Sequence, residues 1–464
     1  MLSPTAFQTI NPATGALLAS FPLTSAEDVE TRLAAAARAT AAWAATPLPE
    51  RAAALARLAD ALLARAPELA RLAALEMGKP LAQGRAEVQK SAATCRYLAA
   101  HGPAWLADEP LPAAPDGTGR RLLAHDPLGV VLGVMPWNFP FWQVVRFAAP
   151  TLLAGNAVLV KHAPNVPQCA AALAELFADA FPLGLYADLR IAPDTVAALL
   201  ADARVAAVSL TGSERAGASV AATAGQHLKP AVLELGGSDA FVVLADADVP
   251  AAAETAARAR LQNTGQSCIA AKRFIVATEV YEEFLTDFLA RLQAARGGDP
   301  TAPDAPTDLA YGPLARLDLA RQLTQQVAAS VAAGARVALA GGQPAPDSAF
   351  FHPMVLTDVP PECAAWREEL FGPVAVVQRA QSEADAIRLA NDTAYGLGGT
   401  VWTRDPARGE RVARALRCGY ATVNGLTAST PELPFGGRGR SGWGRELGML
   451  GVRAFTVPKT LVLG

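Results

Sequence analysis

The chain has 464 residues, of which 52% are hydrophobic and 18% are charged, so it has ample material for large cores and too little charge for a disordered protein. At roughly 150 residues per domain, this length predicts about three domains, or two with insertions. The 40 basic and 43 acidic residues give a net charge of −3, which argues against a nucleic-acid partner because non-specific binding needs a basic face.

The first part of the chain predicts two short strands and then a long helical region. Residues 7–21 contain an Asn-Pro…Gly turn between two strand-like segments. Thr24 and Glu27 form a capping-box pattern that predicts the start of a helix. From there to about residue 107 the chain is rich in Ala, Leu and Arg, and Ala has the highest helix propensity. The Pro- and Gly-rich residues 108–121 end this helical region.

The middle of the chain alternates between apolar strands and helices. Such alternation predicts parallel strands joined by right-handed crossovers, in an open α/β sheet with a second α/β lobe after it. Residues 295–313 read as a surface loop, and residues 454–463 as a final strand. The other predicted strands lie at 128–135, 157–161, 205–210, 231–235, 241–244 and 272–277, and the predicted helices at 141–154, 167–180, 249–262 and 279–296.

Residues 128–145 carry no charge and are the best candidate for a membrane span. Pro136, Asn138 and Pro140 lie at the centre of this stretch, where a spanning helix would lose backbone hydrogen bonds. We therefore expect no membrane segment.

The five cysteines are widely spaced and include no CxxC pair, and no basic residue precedes Arg32. Together these features favour the reducing cytoplasm over a disulfide-stabilised secreted protein. The five histidines are scattered and have no partner at metal-ligand spacing, so no metal site is expected.

Ligands of open parallel sheets bind beyond the carboxyl ends of the strands, so the residues after each strand are the candidates. Asn138 follows the first strand between two prolines; its amide would suit a developing oxyanion, and a simple turn is the alternative. Lys161 suits ribose or phosphate, although a solvated strand-end charge is more ordinary. Gly212 and Ser213 open a helix whose N-terminus would suit a phosphate, although such a pattern alone is more typical of a plain turn.

Two further residues suggest covalent chemistry. Glu234 ends an apolar strand, where poor solvation would raise its pKa and suit a general base; a single salt bridge is the alternative. Cys268 lies on a Gly-containing loop, whereas Cys95 and Cys169 fall in helical runs and are expected to pack as small apolar residues. Spacing alone does not exclude a Cys–His hydrolase, but no histidine has a supporting context.

Taken in order, these motifs closely resemble those of the aldehyde dehydrogenase superfamily, and they span almost the whole chain. Within it, EMGKP at 76–80 and QNTGQSCIAAKRF from Gln262 onward are similar to the bacterial NAD(P)-using succinate-semialdehyde dehydrogenases. The matching motifs are INPATG, PWNFP (136–140), LVKHAP (159–164), TGS (211–213), LELGGSDAF (233–241), NTGQSC (263–268), EELFGPV (368–374) and PFGGRGRSGWGRE (434–446).

The resemblance implies a role for each matching position. Cys268 would be the nucleophile, Glu234 the general base and Asn138 the oxyanion donor. Lys161 matches the residue that binds the adenosine ribose, and Glu369 the one that holds the nicotinamide ribose. The residues implied to bind the cofactor, NAD or NADP, are Trp137, Lys161, His162, Ala163, Pro164, Gly212, Ser213, Leu235, Glu369 and Phe371.

Two departures from the family pattern bear on specificity. Pro164 replaces a Glu that excludes the 2′-phosphate in many NAD-preferring relatives, and His162 and Lys161 lie beside it, so both cofactors are expected. Arg146 matches a substrate-carboxylate arginine of the mammalian enzymes, although an ordinary ion pair is the alternative. The mammalian succinate-semialdehyde dehydrogenases have a second arginine, and Gln262 stands at its position in this chain. The residues expected to contact substrate are Arg146, Trp142, Gln262 and Ser429.

The fold implied by the resemblance is α/β, with two open α/β domains and a small β oligomerisation arm. The Rossmann-like cofactor domain would comprise 1–114 and 131–234, the catalytic domain 235–445, and the arm 115–130 and 446–464. A cytoplasmic homodimer or homotetramer is expected.

The implied reaction is non-acylating oxidation of an aldehyde to its acid through a cysteine thiohemiacetal and thioester, with succinate semialdehyde as the expected substrate. One alternative is a neutral or aromatic aldehyde, with Trp142 and Phe141 lining an apolar tunnel. Another is a catalytically silent dinucleotide-binding or structural protein, which the set of Cys268, Glu234 and Asn138 disfavours.

Overall fold

The computed structural model describes residues 6–113 and 119–464. In these residues the strands are β1 (Ala6–Ile10), β2 (Leu17–Pro22), β3 (Glu109–Pro110), β4 (Arg120–Pro127), β5 (Val130–Val134), β6 (Ala157–Lys161), β7 (Tyr186–Asp188), β8 (Val205–Thr211), β9 (Ala231–Glu234), β10 (Ala240–Val243), β11 (Arg273–Ala277), β12 (Arg336–Leu339), β13 (Met354–Thr357), β14 (Val374–Ala380), β15 (Gly398–Trp402), β16 (Tyr420–Val423), β17 (Gly442–Trp443) and β18 (Thr456–Leu463).

The helices of the same residues are α1 (Ala26–Ala45), α2 (Leu48–Ala64), α3 (Ala66–Met77), α4 (Leu81–Leu106), α5 (Trp142–Leu153), α6 (Pro167–Ala180), α7 (Pro193–Ala201), α8 (Glu214–Gln226), α9 (Val249–Leu261), α10 (Tyr281–Ala294), α11 (Leu317–Ala332), α12 (Ala364–Arg367), α13 (Glu383–Asn391), α14 (Pro406–Ala415) and α15 (Gly448–Arg453). A short 3₁₀ turn, Gln262–Gly265, follows α9.

The first large sheet has six strands in the order β17-β9-β8-β5-β6-β7. All its pairs are parallel except that of β17 with β9. The central strands are apolar because both faces of the sheet are covered, as the complete burial of Val131 and Val158 shows. Strand order reverses between β5 and β8, so a crevice opens at their carboxyl ends, where the loops at 136–140 and 211–213 lie.

The second large sheet has seven strands in the order β12-β13-β14-β11-β10-β15-β16, of which only β12 is antiparallel to its neighbour. The loop that carries Cys268 leads into β11, and the EELFGPV segment leads into the neighbouring β14. Since β11 and β14 are paired, these two segments enter the sheet side by side. The predicted α/β class with two open sheets is confirmed.

Within the described residues there are also two small antiparallel sheets, namely β1-β2 and β18-β4-β3. Strand β18, which matches the predicted C-terminal strand, pairs with β4 from Thr456 opposite Pro127 to Leu463 opposite Arg120. In the segment just before it, Val452 and Phe455 are buried in the core cluster that includes the first large sheet. Residues 1–5 and 114–118, which belong to the predicted cofactor domain and arm, lie outside the described residues.

Several predicted boundaries are corrected by the structure. Helix α1 is capped by Ser25, whose Oγ accepts a hydrogen bond from the Asp28 N–H at 3.0 Å. The Thr24 hydroxyl instead accepts from the Arg190 N–H at 3.0 Å, so a tertiary contact displaces the predicted cap by one residue. The predicted loop 108–121 contains β3 and the first residues of β4, because β3 pairs with the middle of β4 and the start of β4 pairs with β18.

The uncharged stretch 128–145 divides into β5, a loop and the first turn of α5. Across the described ranges, 6–113 and 119–464, no helix combines the length and the apolar character that crossing a membrane requires.

Candidate active site

The loop that carries Cys268 is held from within by a buried lysine. The ammonium group of Lys272 donates hydrogen bonds to three carbonyl oxygens of this loop, those of Ser267 at 2.9 Å, Cys268 at 3.1 Å and Ala270 at 3.0 Å. The Lys272 side chain is 1% exposed. Three donors on one ammonium group fix the backbone on both sides of the thiol.

A left-handed turn precedes the cysteine. Asn263, Thr264 and Gly265 have φ values of 54°, 57° and 74°. Such angles are strained for a β-branched residue, and strain of this kind persists where the surroundings enforce it. Asn263 Nδ2 donates to the carbonyl oxygen of Asn138 at 2.7 Å and to that of Gln266 at 2.9 Å. The strained turn therefore locks the cysteine loop to the loop that carries Asn138.

The Asn138 side chain lies against the same loop. Its Nδ2 donates to the carbonyl oxygen of Gln266 at 3.0 Å, and the residue is 5% exposed. One hydrogen of the amide is used in this bond, which leaves the second for an acceptor near the cysteine. Asn138 is thus oriented by contacts to the segment that it is expected to serve.

A buried ion pair fixes the start of α5, directly after Asn138. Glu87 Oε1 accepts hydrogen bonds from the N–H groups of Phe141 at 2.8 Å and Trp142 at 2.9 Å. Its other oxygen is paired with the ammonium group of Lys79, and both side chains are 1% exposed. A carboxylate at a helix N-terminus stabilises the helix, so this pair positions the whole segment.

Glu234 ends β9 and is 1% exposed. Burial and the nearby Glu446 carboxylate raise its pKa above the ordinary range, while Arg146 and Arg445 act in the opposite direction. Strand β17 covers it, since Gly442 is opposite Glu234 in the pairing, and a Cβ at Gly442 would lie 2.0 Å from the Leu233 carbonyl oxygen. The geometry suits a carboxylate that takes up a proton near neutral pH.

The Cys268 thiol is also shifted. Burial raises its pKa to about 12, and the carboxylates of Glu369 and Glu234 act in the same direction, whereas Arg146 and Lys272 lower it. At neutral pH the sulfur therefore carries a proton in this arrangement, and reaction requires transfer of that proton to a base or additional positive charge nearby.

A cavity of about 790 Å³ opens beside the thiol. It brings together Cys268 and all four predicted substrate residues, Arg146, Trp142, Gln262 and Ser429. The expectation that Phe141 lines an apolar tunnel is wrong, because Phe141 is completely buried in the core of the first large sheet. The aromatic residues that line the cavity are Phe139, Trp142 and Phe435.

The Arg146 guanidinium forms its polar contacts with other residues of the protein. It forms a buried ion pair with Glu446, donates to Thr211 Oγ1 at 3.4 Å, and has its central carbon 5.1 Å from the centre of the Phe435 ring. The structure thus realises the ion-pair alternative. Sequence reasoning missed Glu446, the last residue of the PFGGRGRSGWGRE motif.

Lys90 is a second cavity residue that sequence reasoning missed. Its Nζ donates to Ser429 Oγ at 3.0 Å and lies 4.2 Å from the centre of the Trp142 ring. The helical spacing could have indicated this position. Lys90 follows Glu87 by about one turn of α4, so both side chains lie on the face of α4 that packs against α5.

The crevice of the first sheet contains the residues expected to hold the nicotinamide end of a dinucleotide. The rings of Trp137 and Phe371 meet edge to face, with 5.7 Å between centres. Glu369 Oε1 accepts from the Gly237 N–H at 3.0 Å and lies 3.4 Å from the Lys272 ammonium group. Residues from three separate motifs are therefore brought to one place.

The other end of the crevice fits a phosphate and a ribose. Ser213 caps α8, whose N-terminus follows the turn at Gly212, and a Cβ at Gly212 would meet nothing closer than 3.7 Å. Lys161 has no ion-pair partner within the described ranges, and burial lowers its pKa. Both side-chain polar atoms of Asn165 are buried without a hydrogen-bond partner among those residues. Unpaired polar groups and an open helix N-terminus, which follow parallel strands of the same sheet, suit an anionic ligand. Of the remaining predicted residues, Ala163 and Leu235 are buried and Pro164 is exposed.

His162 is held by two backbone contacts. Its Nε2–H donates to the Pro140 carbonyl oxygen at 2.8 Å, and its Nδ1 accepts from the Ala163 N–H at 2.8 Å. Burial lowers its pKa to about 4, so the ring is neutral and joins two loops. In the part of the chain that is described, no three His, Cys, Asp or Glu side chains cluster so as to hold a metal ion.

Comparison with known proteins gives a consistent result. The family model described as "Aldehyde dehydrogenase family" matches residues 2–461. The chain is 48% identical over 454 residues to "Succinate-semialdehyde dehydrogenase [NADP(+)] 1" of Mycobacterium tuberculosis (strain ATCC 25618 / H37Rv), which covers 98% of both chains. A solved structure of Gox0499 has a TM-score of 0.95 at 41% identity and covers 99% of this chain and 100% of that one. The structure of succinic semialdehyde dehydrogenase from Streptococcus pyogenes with NADP+ has a TM-score of 0.94 at 34% identity and covers 98% and 99%. The chain therefore belongs to the aldehyde dehydrogenase family.

Proposed function

We propose that this protein oxidises succinate semialdehyde to succinate with NAD or NADP as the electron acceptor. The observation that carries the proposal is the position of Cys268, on a loop fixed by Lys272 and Asn263, beside a cavity of about 790 Å³ and next to the crevice of a dinucleotide-binding type of sheet. The chemistry follows from the residues that surround this thiol.

Cys268 Sγ gives its proton to solvent water that enters the cavity, and the resulting thiolate adds to the carbonyl carbon of the aldehyde, which gives a thiohemiacetal. The oxyanion that forms is stabilised by the free amide hydrogen of Asn138 and by the Cys268 N–H. The thiohemiacetal carbon would lose its hydride to the nicotinamide of a dinucleotide held by Trp137, Glu369 and Phe371, which leaves Cys268 as a thioester. Glu234 then takes a proton from water, which attacks the thioester and releases the acid and the thiol.

The substrate and cofactor assignments rest on the relatives and on two features of this chain. The mycobacterial relative is named for succinate semialdehyde and NADP, and the streptococcal structure contains NADP+. In this chain Pro164 removes a carboxylate that would repel a 2′-phosphate, and the cavity carries cationic side chains. Initial rates of cofactor reduction with succinate semialdehyde and with butanal, each with NAD and NADP, test the proposal. Equal efficiency with both aldehydes would overturn the substrate assignment.

A neutral or aromatic aldehyde is the second candidate, because Phe139, Trp142 and Phe435 line the cavity with aromatic surface. Benzaldehyde in the same assay distinguishes the two. A catalytically silent dinucleotide-binding protein is the third candidate, and a burst of reduced nicotinamide with any aldehyde eliminates it.

We also propose that the protein is a cytoplasmic homodimer or homotetramer whose arm includes β4 and β18. Strand β18 lies at the edge of its sheet and exposes Val457 and Val462, by 46% and 69%. An exposed apolar edge strand favours pairing with another chain. Light scattering of the intact protein and of a Val462→Lys variant tests this assembly.

A further inference from the structure

The charges that line the cavity are unevenly compensated. Glu87 pairs with Lys79, Arg146 with Glu446, and Arg291 with Asp287 and Glu254. Two lining cations, Lys90 and Arg258, have no ion-pair partner within residues 6–113 and 119–464. The cavity therefore holds a surplus of positive charge, which favours an anionic ligand.

The two unpaired cations differ in their surroundings. Arg258 is exposed, whereas Lys90 is half-buried. The Lys90 ammonium group is held between Ser429 Oγ, at 3.0 Å, and the Trp142 ring, at 4.2 Å. One of its three hydrogens is used by Ser429, so two remain for an acceptor in the cavity. The Lys90 ammonium group is therefore fixed in position and still has two hydrogens free to donate.

Arg146 lacks this freedom. Its guanidinium is 2% exposed, is neutralised by Glu446, and has a further contact to Thr211. An anion that approached Arg146 would have to share it with a carboxylate already in contact, and Glu446 would repel that anion. The buried pair therefore leaves carboxylate recognition to another residue.

We propose that Lys90, assisted by Ser429, binds the free carboxylate of the aldehyde substrate and determines the preference of the enzyme for a carboxylated aldehyde. This inference rests on the proposed function and names the residue on which its specificity depends. A half-buried ammonium group without a counter-charge is costly to desolvate, and a bound carboxylate offsets that cost. The Lys90 ammonium group does not stabilise the binding of an uncharged aldehyde in this way.

The titration of Lys90 is consistent with this placement. Burial and the neighbouring Arg146 lower the pKa of Lys90 to about 8, while Glu87 and Cys268 act in the opposite direction. Above this pH the ammonium group loses its charge, so binding of a carboxylate weakens where binding of an uncharged aldehyde does not.

The test compares Lys90→Met, which removes the charge, with Lys90→Arg, which keeps it, on succinate semialdehyde and butanal. We expect Lys90→Met to lower kcat/KM for succinate semialdehyde by about 10- to 100-fold, mainly through KM, with less than about a threefold change for butanal. Lys90→Arg should retain most of the preference. Arg258→Met, at the exposed cation, should have a small effect that disappears at high salt.

A measurement on the wild-type enzyme is independent of whether the variants fold. The ratio of KM for succinate semialdehyde to KM for butanal should rise above about pH 8. If the wild type prefers succinate semialdehyde but Lys90→Met keeps that preference, or loses both activities equally, the assignment of Lys90 fails and the proposed function stands. A pH-independent ratio likewise overturns it. A wild type without the preference removes both the proposed substrate and the role of Lys90.

Discussion

The Arg146 guanidinium and the Glu446 carboxylate form an ion pair inside the protein, with side chains 2% and 5% exposed. The pair joins α5, which follows the Asn138 loop, to the segment that covers Glu234. Removing one partner of such a pair leaves an uncompensated charge in a poorly solvated place. Arg146 is therefore a structural residue of this site.

We expect Arg146→Ala to lower the free energy of unfolding by about 3–5 kcal/mol, because Glu446 remains buried without its partner. Denaturant unfolding followed by fluorescence measures the change, and Arg258→Ala, at an exposed arginine, is the matched control. A stable variant that had lost only its preference for succinate semialdehyde would contradict this interpretation and restore Arg146 as the carboxylate ligand.

Glu234→Gln should slow hydrolysis of the thioester more than its formation. Gln cannot accept the proton of water, whereas Cys268 and Asn138 are unchanged. A rapid-mixing experiment should show a persistent burst of reduced nicotinamide followed by turnover slowed by about 100-fold or more. Loss of the burst together with turnover would show instead that Glu234 is needed to deprotonate Cys268.

The same carboxylate predicts a pH dependence. Burial raises the pKa of Glu234, and only its ionised form accepts a proton, so kcat should fall as the pH is lowered, beginning well above the ordinary Glu value of about 4.3. Steady-state kcat measured between pH 5 and about pH 9 tests whether kcat falls on the acidic side. A kcat that stays flat down to pH 5 would show that deacylation does not depend on this group.

Alkylation of Cys268 by iodoacetamide, without cofactor, should accelerate with pH to beyond pH 10, because the thiolate reacts and burial raises the thiol pKa to about 12. Glutathione provides the reference for an ordinary thiol, and peptide mapping identifies the labelled cysteine. A plateau below pH 9 would mean that Cys268 is already activated by its surroundings.

The sequence was sufficient for the fold class, and its short motifs at strand ends named the residues that we propose carry the reaction. It was insufficient for contacts between distant segments. Arg146 and Glu446 are 300 positions apart, and no local pattern indicates their pairing. The neutrality of the His162 ring is another property of the fold, since its pKa is lowered mainly by burial, and its contact with the Pro140 carbonyl oxygen joins two separate motifs.

The other functional residues that the sequence did not reveal lie in helical segments. Glu87 and Lys90 lie in an Ala-rich helix that looks structural throughout, and only the packing of α4 against α5 turns them toward the cavity. Likewise, the cap of α1 moved from Thr24 to Ser25 because Thr24 is used by Arg190, a contact that local propensity does not contain.

The final prediction concerns the choice of cofactor. Pro164 is exposed in the turn after Lys161. Many NAD-preferring relatives have a Glu at this position, so this chain lacks their carboxylate there. We expect the wild type to use both NAD and NADP, and Pro164→Glu to weaken NADP by roughly tenfold or more, since one partly desolvated like-charge contact costs about one to a few kcal/mol. Pro164→Gln, which has the same side-chain length without the charge, separates electrostatic repulsion from loss of the proline ring. KM and kcat/KM for each cofactor, at saturating aldehyde, provide the measurement. An equal effect of the Glu and Gln variants on NADP would assign the change to backbone geometry, and a wild type without measurable NADP activity would refute this interpretation of residues 161–164.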